Sequence, residues 1–352
     1  MLAATLAMSA GCSNEPPTGG ASGGATPGPT GGVSQTGGTA QATGGTSPSG
    51  GTTQTGGASA TGGVAQAGGS GGTTSTGGTR PGWIEEWNTN SPARFYLQAR
   101  SPGSVTSNLA DTSAHDGRAL RLLLGANPQP TPAGASEVGT NDRVAFGTYS
   151  SRLRTADCSG QPNAGVVTGL FTYFNDGSDS NRDGLPDNSE IDFEWLCAAP
   201  EILYLTMWTD YRDSDSAQKR VSRGVNLSTG TVLYTCYYTS FGDCAQTLSG
   251  AEATPSTVAA LAGYDSSAGY YEYGIDWASG SVVWWMRNPQ GTDKIVLWDY
   301  RGPKARITQV PAALLTNVWH TSDWPPSGKP NAVQPPTQPV PVWVDWTRYE
   351  AP

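Results

Sequence analysis

The sequence has few residues of the kinds that build metal centres or bind polyanions. Its 352 residues include two histidines and five cysteines, with no C-x-x-C pair, so a zinc centre of the usual ligand type is not expected. No G-x-S-x-G elbow is present outside the glycine-rich segment, and that segment lacks the G-K-[ST] ending of a phosphate loop. The net charge is −9 without a basic cluster, which argues against nucleic acid as a partner.

Long hydrophobic runs are also missing. The apolar start, MLAATLAMSAGC, is shorter than the roughly 20 residues that span a bilayer. Its small residues closing on Cys12 resemble the processing site of a bacterial lipoprotein, although an incidental cysteine in a truncated signal would look similar. We therefore expect residues 1–12 to be a processing segment with lipidation at Cys12. The protein would be exported to the outer surface, touching a membrane only through this anchor.

Residues 13–80 are almost entirely Gly, Thr, Ser, Ala, Gln and Pro. A segment of this composition cannot bury enough apolar surface to offset its ordering entropy, so it is expected to be a disordered linker. The remaining residues, 81–352, are enough for one large all-β domain.

In residues 81–352, short segments rich in Val, Ile, Tyr and Trp alternate with Gly, Asn, Asp and Pro breaks. Examples are RALRLLL, GVVTGLFTYF, ILYLTMW, SVVWWMRN and VWVDWTRY. Many short strands separated by turns predict a β-sandwich or barrel. Only TPSTVAALAG, residues 254–263, reads as a helix.

Four cysteines remain in this domain, an even number in an apparently exported chain, which indicates two disulfides. Cys236 and Cys244 flank a short loop and are expected to pair, which leaves Cys158 with Cys197.

Three carboxylates alternate in the segment EIDFEWL. In a strand, Glu190, Asp192 and Glu194 share one face, while the apolar residues between them take the other. Clustered acids repel one another, but a carboxylate pair is what glycoside hydrolysis requires: one attacks the anomeric carbon and the other protonates the leaving oxygen. Alone, E-x-D-x-E is a weak signal, because exposed strands also carry alternating acids.

The order of the surrounding motifs strengthens the E-x-D-x-E signal. EIDFEWL resembles the catalytic strand of glycoside hydrolase family 16. The segments FGTYSSRLR, GVVTGLFTYF, YYEYGIDWASGSVVWWMRN, NVWHTSDWP and VDWTRY resemble that family's other segments in the same order. The resemblance covers most of residues 83–350.

The resemblance implies a β-jelly roll sandwich with the catalytic strand on a concave cleft. It implies Glu190 as nucleophile, Glu194 as acid/base and Asp192 as the residue that orients and tunes the nucleophile. The regular spacing, without an extra residue before the second glutamate, is similar to the branch that acts on mixed-linkage β-glucan, xyloglucan or chitin–glucan. Candidate sugar platforms are Trp208, whose strand should follow the acidic one, and Trp319 and Trp324, which the family order places near the cleft.

A second motif precedes the acids. Residues 179–190, DSNRDGLPDNSE, have the ligand spacing of a calcium loop, with Asp179, Asn181, Asp183 and Asp187 as side-chain ligands. The alternative is a polar turn without metal. We favour a structural Ca²⁺ ion there, with Glu190 left to catalysis because helical flanks are absent. The chemistry itself needs no cofactor.

These features favour a retaining glycoside hydrolase acting on a β-linked glucan. The alternatives are a transglycosylase on β-glucan or chitin, a non-catalytic calcium-dependent carbohydrate-binding module, and a structural surface protein on a stalk. A polysaccharide is the expected partner, and the domain is expected to be a monomer.

Overall fold

The computed structural model describes residues 81–130, 135–212, 214–215, 217–288 and 293–352. The processing segment with Cys12 and the 13–80 linker lie outside these ranges, so both remain predictions. Within the described ranges, no helix has the length and apolar character needed to cross a bilayer.

The described chain folds into seventeen β-strands and two single-turn 3₁₀ helices, Gly250–Glu252 and Lys304–Arg306. The strands are β1 (Trp83–Glu85), β2 (Phe95–Ala99), β3 (Gly103–Ala110), β4 (Arg118–Leu124), β5 (Ser136–Thr140), β6 (Gly147–Arg154), β7 (Val166–Phe174), β8 (Asp187–Leu196), β9 (Ile202–Arg212), β10 (Ala217–Asn226), β11 (Thr231–Tyr238), β12 (Gln246–Thr247), β13 (Tyr271–Ala278), β14 (Ser281–Arg287), β15 (Lys294–Tyr300), β16 (Ala313–His320) and β17 (Val340–Glu350).

These strands form two antiparallel sheets. The back sheet has the order β15-β14-β13-β6-β17-β4-β3, with β1 paired to β17. The site sheet has the order β12-β11-β10-β9-β8-β7-β16-β5-β2. One core cluster takes buried side chains from both sheets, such as Leu205 and Phe193 from the site sheet and Ile275 and Trp284 from the back sheet. The all-β jelly roll sandwich predicted from the sequence is confirmed.

β8 lies in the middle of the site sheet and is fixed on its inner face. Ile191, Phe193 and Trp195 are almost fully buried in the core. The rings of Phe193 and Trp195 stack with centroids 5.6 Å apart. From the back sheet, the indole N–H of Trp284 donates a hydrogen bond to the carbonyl oxygen of Asp192 at 2.9 Å. The register and the depth of β8 are therefore set from the core side.

The prediction of a helix at residues 254–263 is wrong. This segment contains turns and an isolated bridge instead of helix. Its backbone N–H groups bond to the turn after β10: Val258 donates to the Gly230 carbonyl and Leu261 to the Leu227 carbonyl. These tertiary bonds replace the bonds within a helix, and the side chain of Val258 is buried in the core.

Both expected disulfides are formed. Cys158 pairs with Cys197, joining the segment after β6 to the end of β8. Cys236 pairs with Cys244 and closes the loop that follows β11. The second bridge therefore restrains the short loop that contains Phe241.

The packing of β8 yields a stability prediction. Phe193→Ala removes a fully buried ring between the sheets and should lower the free energy of unfolding by about 3–5 kcal/mol. Leu233→Ala on β11 is the control, because Leu233 is 41% exposed and its truncation should cost less than about 0.5 kcal/mol. Denaturant unfolding of both variants gives the two values. Similar losses in the two variants would show that β8 is not held by the core.

Candidate active site

The three acids lie on the face of β8 that is turned away from the core. Between Glu190 and Glu194, β8 pairs with β7 and with β9 in an unbroken register, so the strand is regular through the acids. Glu190 and Asp192 are 7% and 3% exposed, and Glu194 is partly exposed. We call Glu190, Asp192 and Glu194 the acid row. Burial on this scale means that water does not screen their charges well.

Hydrogen-bond donors converge on one end of the acid row. The indole N–H of Trp208 on β9 donates to the Oδ2 atom of Asp192 at 3.1 Å. The side-chain amide of Asn188 donates to the Oε2 atom of Glu190 at 2.8 Å. Asp192 and Glu190 also hydrogen-bond to each other through their carboxyl groups. Asp192 is thus held from one side and contacts the Glu190 carboxylate on the other.

The environment raises the pKa of all three acids. Burial raises the pKa of Glu190 to about 8, and the charge of Glu194 adds to that rise. Burial also raises the pKa of Glu194 to about 7, against the opposing effect of the Arg220 guanidinium. The pKa of Asp192 lies well above its usual range because of burial and the charges of both glutamates. The acid row therefore keeps protons near neutral pH.

Hydrogen bonds to Glu190 oppose the effect of burial on its pKa. Glu190 accepts from Asn188 and contacts Asp192, and both interactions lower its pKa against the effect of burial. A protonated Asp192 can donate to Glu190 while it accepts from Trp208. Donors of this kind favour the ionised form of the carboxylate that receives them. These two hydrogen bonds thus favour the ionised form of Glu190, whereas burial and the charge of Glu194 hold its pKa at about 8.

Aromatic and cationic side chains flank the acid row towards β11. In register with Glu190 lie Trp208 on β9, Arg220 on β10 and Tyr238 on β11. The guanidinium carbon of Arg220 lies 4.9 Å from the ring centroid of Trp208 and 4.2 Å from that of Tyr238. Trp208 is only partly buried. It is therefore the predicted platform that the structure places directly beside the acids.

Polar side chains flank the acid row in the other direction. In register with Glu194 lie Gly169 on β7, Asn317 on β16 and Glu137 on β5. A side chain at Gly169 would collide with Asn317, since a Cβ atom there would lie 2.6 Å from its Oδ1. The hydroxyl of Tyr96 donates to Glu137 at 2.8 Å, and burial raises the pKa of Glu137. This face thus offers amide, carboxyl and hydroxyl groups in one line across the sheet.

The other two predicted platforms are placed differently. Trp319 and Trp324 are 2% and 6% exposed and belong to a small apolar cluster. Their rings lie 6.5 Å apart, and Trp324 also meets Tyr204 edge-on at 5.1 Å. With their faces covered in this way they support the surface near Glu194, and a role in contacting sugar remains a prediction.

The predicted calcium ligands interact with nearby backbone N–H groups and with a lysine. Asp179 accepts hydrogen bonds from the backbone N–H groups of Asp183 and Gly184, and Asn181 accepts from Asp183 as well. Asp187 accepts from the N–H of Ser180 at 2.8 Å.

Asp183 forms an ion pair with Lys219. Among the described residues, no group of three or more His, Cys, Asp or Glu side chains is arranged to hold a metal. The calcium ion therefore remains a prediction from the sequence and takes no part in the chemistry below.

Several groups at the site were missed by the sequence analysis: Asn188, Arg220, Tyr238, Glu137, Asn317 and Tyr96. Asn188 carries a usable signal, since it lies two residues before Glu190 in the same strand. The others come from distant strands, so only the register of the sheet brings them to the acid row.

Similarity to known proteins is found among solved structures only. No protein-family model and no curated protein sequence matches the chain. Solved structures of similar fold exist. A Bacillus licheniformis β-glucanase is 16% identical, with a TM-score of 0.44 over 78% of this chain and 99% of its own.

A family 16 endo-glucanase from Bacteroides ovatus is 10% identical, with a TM-score of 0.46 over 76% of this chain and 99% of its own. The Crh5 transglycosylase is 15% identical, with a TM-score of 0.44 over 77% and 85%. Such distant likenesses decide neither a family nor an activity, so the function is argued from the site itself.

The acid row makes stability depend on pH. Because the folded-state pKa of Glu190, about 8, exceeds the ordinary 4.5, the folded protein binds more protons than the unfolded chain between these values. The free energy of unfolding should therefore fall as the pH rises through this window. Glu190→Gln, which stays neutral, should reduce the fall between about pH 5 and pH 8 by on the order of 1–3 kcal/mol.

Denaturant unfolding at several pH values measures this slope. Glu86→Gln is the matched control, since Glu86 is exposed and distant from β8. Equal slopes for wild type and Glu190→Gln would contradict the burial of a raised-pKa carboxyl at position 190.

Proposed function

We propose that this protein is a retaining glycoside hydrolase or transglycosylase that acts on a β-linked, glucan-type polysaccharide. The observation that carries the proposal is the acid row: three carboxyls with raised pKa on one face of a regular strand, two of them buried, with donors aimed at Glu190 and Asp192. A face that only needs solvation has no use for acids buried at a cost in stability. Family 16 resemblance in the sequence points to the same chemistry.

In this proposal Glu190 is the nucleophile. Its carboxylate attacks the anomeric carbon and forms a glycosyl ester, while the glycosidic C–O bond breaks and its electron pair leaves with the departing oxygen. Glu194 gives its proton to that oxygen. The raised pKa of Glu194, about 7, keeps part of the population protonated for this step at neutral pH.

The second step reverses the roles of Glu194. As a base, it takes a proton from water or from a sugar hydroxyl, whose oxygen attacks the anomeric carbon and releases Glu190. Water gives hydrolysis, and a sugar hydroxyl gives transglycosylation. Asp192 orients Glu190 throughout, because Trp208 fixes its position and its own carboxyl contacts the nucleophile.

The groups across the sheet suit a neutral sugar chain. Strands are spaced by about 4.8 Å, so Glu137 lies three strands, or about 14 Å, from Glu194. A polysaccharide crossing the strands would meet the polar groups of Asn317 and Glu137 on one side and the indole of Trp208 on the other. The disulfides fit an exported location, and lipidation at Cys12 would tether the enzyme to its membrane.

The first test is turnover by the full-length chain. Reducing-end release from mixed-linkage β-glucan, xyloglucan, laminarin and chitin oligomers should be seen on at least one polymer. Products longer than the starting oligosaccharide, seen by mass, would identify transglycosylation. Glu194→Gln should lower kcat by a factor of about 1,000 or more, with binding retained. Binding with no turnover of either kind by wild type would instead support a carbohydrate-binding module.

The roles of the two glutamates are separated by azide rescue on an aryl β-glycoside with a good leaving group. With Glu190→Ala, azide should replace the missing nucleophile and give the inverted glycosyl azide. In the Glu194→Ala variant the glycosyl ester still forms, so azide should give the retained product. Glu86→Gln serves as the unaffected control. Exchanged stereochemistry between the two alanine variants would reverse the assigned roles.

A further inference from the structure

Arg220 is a buried cation that no acid neutralises by contact. It is 3% exposed, and its Nε and Nη2 atoms are buried without a hydrogen-bond partner in the described part of the chain. Instead, its guanidinium lies against three rings. Its carbon is 4.9 Å from the centroid of Trp208, 4.2 Å from that of Tyr238 and 6.0 Å from that of Phe241. A buried charge held in this way needs a compensating charge nearby.

The acid row supplies that charge. Arg220 lies in register with Trp208 and Glu190, on the same face of the sheet and two strands from β8. Its neighbour Lys219 points to the opposite face, where it pairs with Asp183 and lies 4.0 Å from Asp210. The other titratable groups that face Arg220 are phenols, Tyr238 and Tyr234 on β11. In the described part of the chain, the acid row therefore supplies the carboxyl groups that interact electrostatically with Arg220.

Arg220 is also linked to the acid row through contacts of the Trp208 side chain. The Trp208 ring that stacks on the guanidinium is the ring whose N–H donates to Asp192. The Trp208 ring also meets Phe241, with centroids 6.1 Å apart. Phe241 belongs to the loop that the Cys236–Cys244 disulfide closes. Trp208 thus contacts both Arg220 and a restrained loop.

We propose that Arg220 is a positioning residue of the acid row. Its guanidinium, which is buried and contacts no acid directly, compensates one negative charge in the row and orients Trp208 against Asp192. One cation compensates one carboxylate, so the row can carry a single negative charge while the other two acids hold protons. This is the charge state that a retaining mechanism needs, and in that respect the inference rests on the proposed function. A direct ion pair would instead withdraw a carboxylate from the chemistry.

Removing the cation should move the titration of the acid row to higher pH. Arg220 opposes the raised pKa of Asp192 and of Glu194. Two strand spacings are about 10 Å, and at an effective dielectric constant near 20 a unit charge at that distance shifts a pKa by about one unit. Arg220→Met keeps the length and the contact with the rings but loses the charge, and Arg220→Lys keeps the charge.

The experiment follows the carboxyl ¹³C resonances of the acid row against pH in full-length protein. Their midpoints should rise by about one pH unit in Arg220→Met and return most of the way in Arg220→Lys. Arg121→Met is the matched control, because Arg121 also has a buried unpaired Nε and stacks on a tryptophan, Trp343, but lies in the back sheet. It should leave the midpoints unchanged.

Activity provides the second readout. In Arg220→Met both limbs of the pH profile of kcat/KM should shift upwards by about one unit, which is about a tenfold loss below the acidic limb. Arg220→Gln gives the same comparison if Arg220→Met does not fold. A folded charge-removed variant whose carboxyl midpoints stay at the wild-type values overturns the inference, as does a uniform loss of rate without any shift.

The two proposals fail separately. If wild type turns over no glycan, the proposed function falls, while the carboxyl titration of the Arg220 variants still decides whether the guanidinium controls the acid row.

Discussion

The strict alternation of side chains along β8 determines both the packing between the sheets and the position of the acid row. Phe193 and its apolar neighbours must face the back sheet, so Glu190, Asp192 and Glu194 must face the other way. A slip of one residue would place the acids in the core and the rings in the cleft. The bond from Trp284 to the Asp192 carbonyl fixes this register from the core side. Packing between the sheets and placement of the acid row are thus set by the same residues.

The acid row carries fewer negative charges than its number of acids suggests. Three carboxylates cannot all ionise in a setting so poorly solvated, and each carries a raised pKa. The structure compensates with neutral donors, from Trp208 and Asn188, and with protons kept by the row itself. In the proposed mechanism, the protons that relieve the repulsion are the ones that acid catalysis requires. The repulsion among the acids and the proposed ability of Glu194 to protonate a leaving group would then have one cause.

Period-two patterning was enough to predict the sandwich, the strands and the common face of the acid row, because those features depend on neighbours in sequence. The cysteine pairing also followed from short spacing at Cys236 and Cys244. Other features of the fold and of the site depend on contacts between residues that are distant in sequence. Residues 254–263 have a helical composition, yet their N–H groups bond to the turn after β10. Arg220 and Asn317 reach the acid row only through the order of strands, which no local pattern contains.

The loop before β8 shows why a local motif and a site can differ. Its ligand-like spacing is real, but carboxylates such as Asp179 and Asp187 accept local backbone N–H groups, and Asp183 meets Lys219. The same oxygens that could surround a cation can also close a turn, and spacing alone does not distinguish the two. Glu190, three residues after Asp187, lies within the paired part of β8, where Asn188 and Asp192 contact it. A carboxylate held by donors inside a sheet is available to an anomeric carbon, whereas one coordinated to calcium would not be.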